Sequence, residues 1–502
     1  MKGDFTRFGF DSSKHYSRVL HQQGRVALDA DSNEASAILL HHLRVLTRDL
    51  FGAGGGPPDG GFGLDLDKSA KPAVLSLGPG HYYVDGILCE NEQWTAYADQ
   101  PDFTPAPPVN NEGGDALLAW LARPSSNQAF WVYLDVWEQH VSWIEDDSIR
   151  EPALGGPDTC SRAKVIWQVK ALQWDDKNWG DVRDNQDACN TPLSTLAGLG
   201  TGRMTARVAP GSAFTDPCIV SPDAAYRGAG NHLYRVEVHR AGHAGVAGGA
   251  TFKWSRENGS VAARWLGVRS SGDAPTLIAS STRGFAPGDW VELSHDALDL
   301  ANEPGQLVRL SVVDGDQLVV DAAGVPGGTL MAWSETLSNP KLRRWDQHGS
   351  DIVVLDNGAV PIVESSGPPL TWLDLEDGIQ VAFETGGDYR SGEYWLIPAR
   401  VATQGIMWPD PGAPDAWQAP QGIVHHLAPL GVLTFDDADG FQVISQCRRC
   451  LSLGPTACLV PLRRMIDGAE PIAPDTRVNP RKTTSPSAPA NVSPTTRRRR
   501  AG

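Results

Sequence analysis

Phe252-Lys253-Trp254-Ser255-Arg256-Glu257, then Asn258-Gly259, then Ser260 through Trp265, is the stretch whose reading decides the fold. Asn-Gly supplies the two positive φ angles of a primed two-residue turn, so the sequence predicts a β-hairpin here. Outward from it, Leu233 to His239 reads as a strand. Phe130 to Ile144 is a long alternation of aromatic and aliphatic residues, and Val165 to Leu172 reads as another strand. Val74 to Leu77 and Tyr82 to Cys89 read as two strands around Pro79-Gly80, and further strands are expected near Ile379 to Phe383 and Tyr394 to Ala399. The 53 Gly and 37 Pro among 502 residues favour many turns and short strands over long helices. A mainly β fold is expected, with an α+β character contributed by one N-terminal helix.

A composition break near Asp273 opens a compact β unit. Phe285 to Leu293 leads to two runs around Asp314-Gly315-Asp316, a density of short strands that suggests a small barrel. A chain of this length exceeds one core, and the expected divisions are 1–60 (arm and helix), 61–272 (sandwich-like β body), 273–340 (barrel), 341–466 (a further β-rich part) and 467–502. The last segment, rich in Pro, Ser, Thr and Arg, lacks the apolar residues to fold and is expected to be a disordered basic tail.

The helix is the clearest local reading. Ala35, Ile38, Leu39, Leu43, Leu46 and Leu50 recur at three- and four-residue steps on one face. Asp31 or Ser32 is the expected cap, and Gly52 ends the helix. Ile38, Leu39, Leu43, Leu46 and Leu50 form the candidate partner-binding stripe. Residues 1 to 20 show no period and read as an arm.

Charge excludes some classes of function. The net charge is -17, yet the segment from Asp467 carries seven basic against three acidic residues, which leaves the body at -21. An acidic body does not suit broad nucleic-acid binding, and Arg497 to Arg500 reads as a mobile solubilising run. No apolar run approaches a membrane span, and the start lacks the apolar stretch of a secretory signal. Seven cysteines do not suggest a disulfide scaffold, so a cytoplasmic location is expected, with release in an assembled particle as an extension.

Few constellations carry chemistry. Asp29-x-Asp31-x-Asn33 opens like a calcium loop, but Glu34 and Leu40 stand where Gly and Glu are needed, and capping is the better reading. Glu145, Asp146, Asp147 and Glu151, with Asp135, Glu138, His140 and Asp158 nearby, offer paired carboxylates for glycoside hydrolysis or a cation, though solvated loop charges are commoner. Cys447-Arg448-Arg449-Cys450 with Cys458 is a candidate zinc or redox site with one ligand pair where structural zinc wants two; ordinary thiols are the commoner outcome and no cofactor is expected. Cys189 and Cys218 flank a turn-rich segment. No phosphate loop, nucleophile elbow or His-Glu-x-x-His occurs, which leans against an enzyme while leaving a dispersed site open.

Met1-Lys2-Gly3-Asp4-Phe5-Thr6-Arg7, His15 to Leu20, Gln23-Gly24-Arg25-Val26-x-Leu28-Asp29-Ala30-Asp31-x-Asn33-Glu34, Tyr133 to Glu138, Ala153 to Thr159, Asn231 to His239 and Phe252 to Ser260 together resemble an uncharacterised bacterial domain family. The resemblance spans roughly residues 1 to 430. It implies likeness to proteins encoded beside phage tails and contractile injection systems, and carries no catalytic residues. The resulting expectation is a structural or adaptor component of such a particle. It would bind other particle proteins or further copies of itself through the helix and through aromatic patches at Trp131, Trp137, Trp143, Trp167 and Trp254. The alternative is a carbohydrate-binding or carbohydrate-active protein using tryptophan and carboxylates in a cleft.

Overall fold

A computed structural model describes residues 1–57, 61–103, 115–126, 128–154, 158–174, 198–210, 225–271, 274–349 and 354–450. Cys189, Cys218, Cys458 and the 467–502 tail lie outside the described residues. The fold is mainly β, and the described residues belong to one compact unit.

The Asn-Gly turn is present, but the hairpin is not. Asn258 and Gly259 take φ 50° and 64°, and the Ser260 amide closes the turn on the Glu257 carbonyl at 3.0 Å. The flanking strands then part. Thr251–Ser255 pairs with His232–Arg240 and Val360–Pro361, whereas Ala262–Ser271 pairs with Ala274–Ala279 and Lys341–Trp345. A turn fixes the reversal of the chain, and side-chain burial chooses the partner. Here the two runs enter different cores, with Phe252 and Trp254 in one and Ala263 and Trp265 in the other. A two-residue hairpin does form at Asp85-Gly86 (φ 49° and 83°), which splits the Tyr82–Cys89 run into Gly80–Val84 and Ile87–Asn91.

Three β bodies result. The first contains a sheet ordered Gly440–Gln446, His426–Asp436, Ala129–Val141, Arg162–Trp174, covered by the small sheets of residues 54–96. The second is a sandwich. A five-stranded sheet (Val360–Pro361, Thr251–Ser255, His232–Arg240, Tyr394–Arg400, Gly405–Ile406) packs on one built from Met204–Val208, Ile379–Glu384 and two short strands. The third is a closed six-stranded barrel running from Ala262–Ser271 to Lys341–Trp345, wider than the 273–340 span expected. The 341–466 segment is no separate body, because its strands are shared between the sandwich and the first sheet.

The helix spans Asp29–Phe51 and starts earlier than expected. Leu28 is the cap residue and makes no side-chain cap bond, so neither Asp31 nor Ser32 caps it. Asp29, in the first turn, instead accepts from the Thr6 amide at 2.9 Å and from its hydroxyl, tying arm to helix. The helix docks through Ala30 and Ile38, which are buried. Gly86 makes this approach possible, since a Cβ there would lie 2.2 Å from the Arg44 carbonyl oxygen.

Candidate functional site: a charged cavity between the bodies

Strand His232–Arg240 alternates. Tyr234, Val236 and Val238 point into the sandwich core, which sends Arg235, Glu237 and His239 to the opposite face. On an open sandwich that face would meet water. Here the barrel and the arm cover it, leaving Arg235 and Glu237 at 3% and 2% exposure. Glu237 stands in register with Lys253 on the neighbouring strand.

Buried charge at this depth survives only when paired. Glu237 takes Lys2 at 3.0 Å, Lys253 at 3.4 Å and Arg235 at 2.5 Å. Lys253 also bridges the bodies by reaching barrel Glu292, whose other oxygen accepts from the Trp345 indole at 2.8 Å. The Lys253 ammonium lies 4.5 Å from the centroid of that indole ring. Burial alone would raise the Glu237 carboxyl, but Lys2, Arg235 and Lys253 together hold it well below the usual range. The same contest at Glu292, against Lys253 and Lys2, ends at about 2.

These groups line a cavity of about 440 Å³, to which the first sheet contributes Glu138, Gln139, His140 and His426, and the barrel contributes Glu292, Asp299 and Arg343. Arg44 of the helix joins it through an ion pair with Glu138 at 2.9 Å. His140 and His239 are kept neutral. Burial, then the Met1 amino group and Arg343, lowers His140 to about 3; burial, then Lys253, lowers His239 to about 4.

Glu145, Asp296 and Asp299 converge closely enough to hold a cation. A lysine already supplies the positive charge. Lys341 Nζ lies 2.6 Å from Glu145, 2.6 Å from Asp299 and 3.5 Å from Asp296, and it is raised above its ordinary value as those carboxylates outweigh its burial. The trio is an internal salt bridge between the Ser142–Glu145 turn and the barrel.

The residues singled out from sequence are dispersed. Of the carboxylate-rich stretch, Glu138, His140 and Glu145 reach the cavity, whereas Asp135 is bonded to Lys170 at 2.6 Å and to His425 at 2.8 Å. Cys447 and Cys450 are both in disulfides, so neither offers zinc a thiolate in this state, and the reading of ordinary thiols is likewise corrected. Trp131, Trp137, Trp167 and Trp254 are buried at 1–8% exposure and build cores, so no aromatic binding patch forms from them. Of the expected stripe, Ile38 faces the body, while Leu39, Leu43, Leu46 and Leu50 are 52–62% exposed. Arg235, Glu237, Lys253 and Glu292 were not singled out, although each alternates with apolar neighbours, Arg235 and Glu237 with Tyr234, Val236 and Val238, Lys253 between Phe252 and Trp254, and Glu292 between Val291 and Leu293.

The architecture is that of a multi-sheet β protein whose bodies clamp a charged cavity and which displays one apolar helix face. The chain belongs to the family described as Family of unknown function (DUF6519), which matches residues 1–202 and 180–501. No curated protein and no solved structure matches it. No helix among the described residues is long and apolar enough to cross a membrane.

Proposed function

We propose that the protein is a structural or adaptor component that works by protein–protein association, with the outer face of its N-terminal helix as the docking surface. The observation that carries this reading is the exposure of Leu39, Leu43, Leu46 and Leu50. Their 4-3-4 spacing is that of a coiled-coil seam, on the side of the helix away from Ile38. The flanks suit an apolar contact, since the Ser36 and Thr47 hydroxyls are bonded back to the Ser32 and Leu43 carbonyls at 3.2 and 2.8 Å. Of the residues bordering the seam (Ser32, Ala35, Ser36, His42, Thr47, Asp49), Asp49 is the one carboxylate and His42 the one basic side chain, so identical copies would meet with little repulsion. A seam of this kind is self-complementary across a two-fold axis, and the occupant proposed is a second copy of this chain. Membership of a phage-tail-like particle is supported by the sequence resemblance alone.

Removing residues 1–52 does not test this, because the arm is built into the fold through Lys2 and Asn258. A cross-link does. Leu46→Cys in a Cys160→Ser background, which removes the exposed free thiol among the described residues, should give with a short bismaleimide a species of twice the chain mass that Cys160→Ser alone does not give. A product that stays at single-chain mass would contradict the proposal.

A further inference from the structure

The charged cavity contains more hydrogen-bonding capacity than the chain uses. His140 Nε2, His239 Nδ1, Arg44 Nε and Gln139 Oε1 are buried with no hydrogen-bond partner among the described residues, and all four residues line the cavity. Buried polar atoms left this way are uncommon and want an explanation.

The distribution of charge says what kind of partner would satisfy them. Around Glu237 and Glu292 stand four cations, Lys2, Arg235, Lys253 and Arg343. The Arg343 guanidinium donates to the Gly259 carbonyl, and no ion pair to it is seen among the described residues. Of the remaining lining carboxylates, Glu138 is held by Arg44, and Glu145 and Asp299 by Lys341. Glu303 stands beyond the barrel helix Asp296–Ala301 with no such partner. The end of the cavity bounded by Arg235, Arg343 and His140 therefore holds more cations than free carboxylates, and the Met1 amino group, Arg343 and Arg235 together outweigh Glu145 in holding His140 unprotonated. A volume of about 440 Å³ is that of a small-molecule site.

We propose that this end of the cavity binds a small oxyanion, a carboxylate- or phosphate-bearing molecule, with Arg343 as its charge partner and the free Nε2 of His140 as a hydrogen-bond partner. An anion there balances the local excess of cations, and guanidinium is the side chain best shaped to receive two oxygens at once. This proposal does not depend on the helix docking to a second copy.

The test is thermal unfolding of the full chain in inorganic phosphate, and separately in tricarballylate, with ionic strength held constant by chloride. One or both anions should raise the midpoint saturably, by about 2 °C at ~10 mM; the anion that does so distinguishes phosphate from carboxylate recognition. Arg343→Met and His140→Phe should each weaken the apparent affinity about tenfold. His140 Nε2 bonds to nothing described, so His140→Phe should fold as the parent does. A midpoint that moves no more than in the chloride control would overturn the proposal, as would variants that respond as the parent does.

Discussion

Asn258 shows how much can rest on one side chain. It is fully buried in a left-handed conformation, where asparagine is tolerated better than most residues. Its amide donates to the Gly3 and Met1 carbonyls at 2.9 and 3.3 Å, and its oxygen accepts from Arg235 at 3.2 Å. The residue that reads from sequence as a hairpin turn thus also clamps the arm that brings Lys2 to Glu237. Asn258→Gly keeps the backbone freedom and loses only the side-chain bonds, an expected cost of about 1–2 kcal/mol. Asn258→Ala adds left-handed strain, for about 2–4 kcal/mol in all. Urea unfolding of the two variants separates the contributions, and equal midpoints would show that strain is absent.

At the scale of elements, local signals located turns and strands better than they located partners. The Asp314-Gly315-Asp316 turn does join paired strands, Gln306–Asp314 and Gln317–Val320, because both runs enter the same barrel core. Asn258-Gly259 carries an equally strong turn signal, yet its flanking strands diverge into two cores. Nothing local in the sequence encodes that choice. The helix was legible from its period, but the period could not say which leucines face the body. Ile38 is covered and Leu39 is not, a difference set by which side of the helix docks on the body. The cavity was half legible. The carboxylate-rich stretch pointed to Glu138, His140 and Glu145, whereas Arg235, Glu237 and Glu292 become a site only when the barrel closes over the sandwich. Cys447 and Cys450 read as ordinary thiols or metal ligands, whereas both are disulfide-bonded.

For the whole molecule, long-range closure dominates. His426–Asp436 returns across some three hundred residues of chain to pair with Ala129–Val141, so the strands after 341 do not stand as a body of their own. Closure also buries titratable groups in the cavity, with a consequence for pH. His140 and His239 take up protons near pH 6.5 in the unfolded chain, but only at about 3 and about 4 in the folded one. The unfolded state therefore binds more protons throughout that window, and stability that is full above pH 6.5 is lost as pH falls towards 4. Each histidine contributes at most about 1.4 kcal/mol per pH unit. The urea midpoint should drop between pH 7 and pH 5, and a flat profile would mean that neither imidazole is buried neutral. Glu292 and Asp299, held at about 2, extend the loss with the same sign at lower pH.

The central claim is that the leucine face of the helix is an interface between copies of this chain. Sedimentation equilibrium of the parent beside a Leu43→Glu, Leu46→Glu variant tests it most directly. Both leucines are more than half exposed, so the variant should fold, with the parent's unfolding midpoint at concentrations too low for the parent to associate. The account predicts a parent whose mass rises with concentration towards twice that of the chain, and a variant that remains at the single-chain mass. Equal masses for the two proteins at every concentration would contradict it.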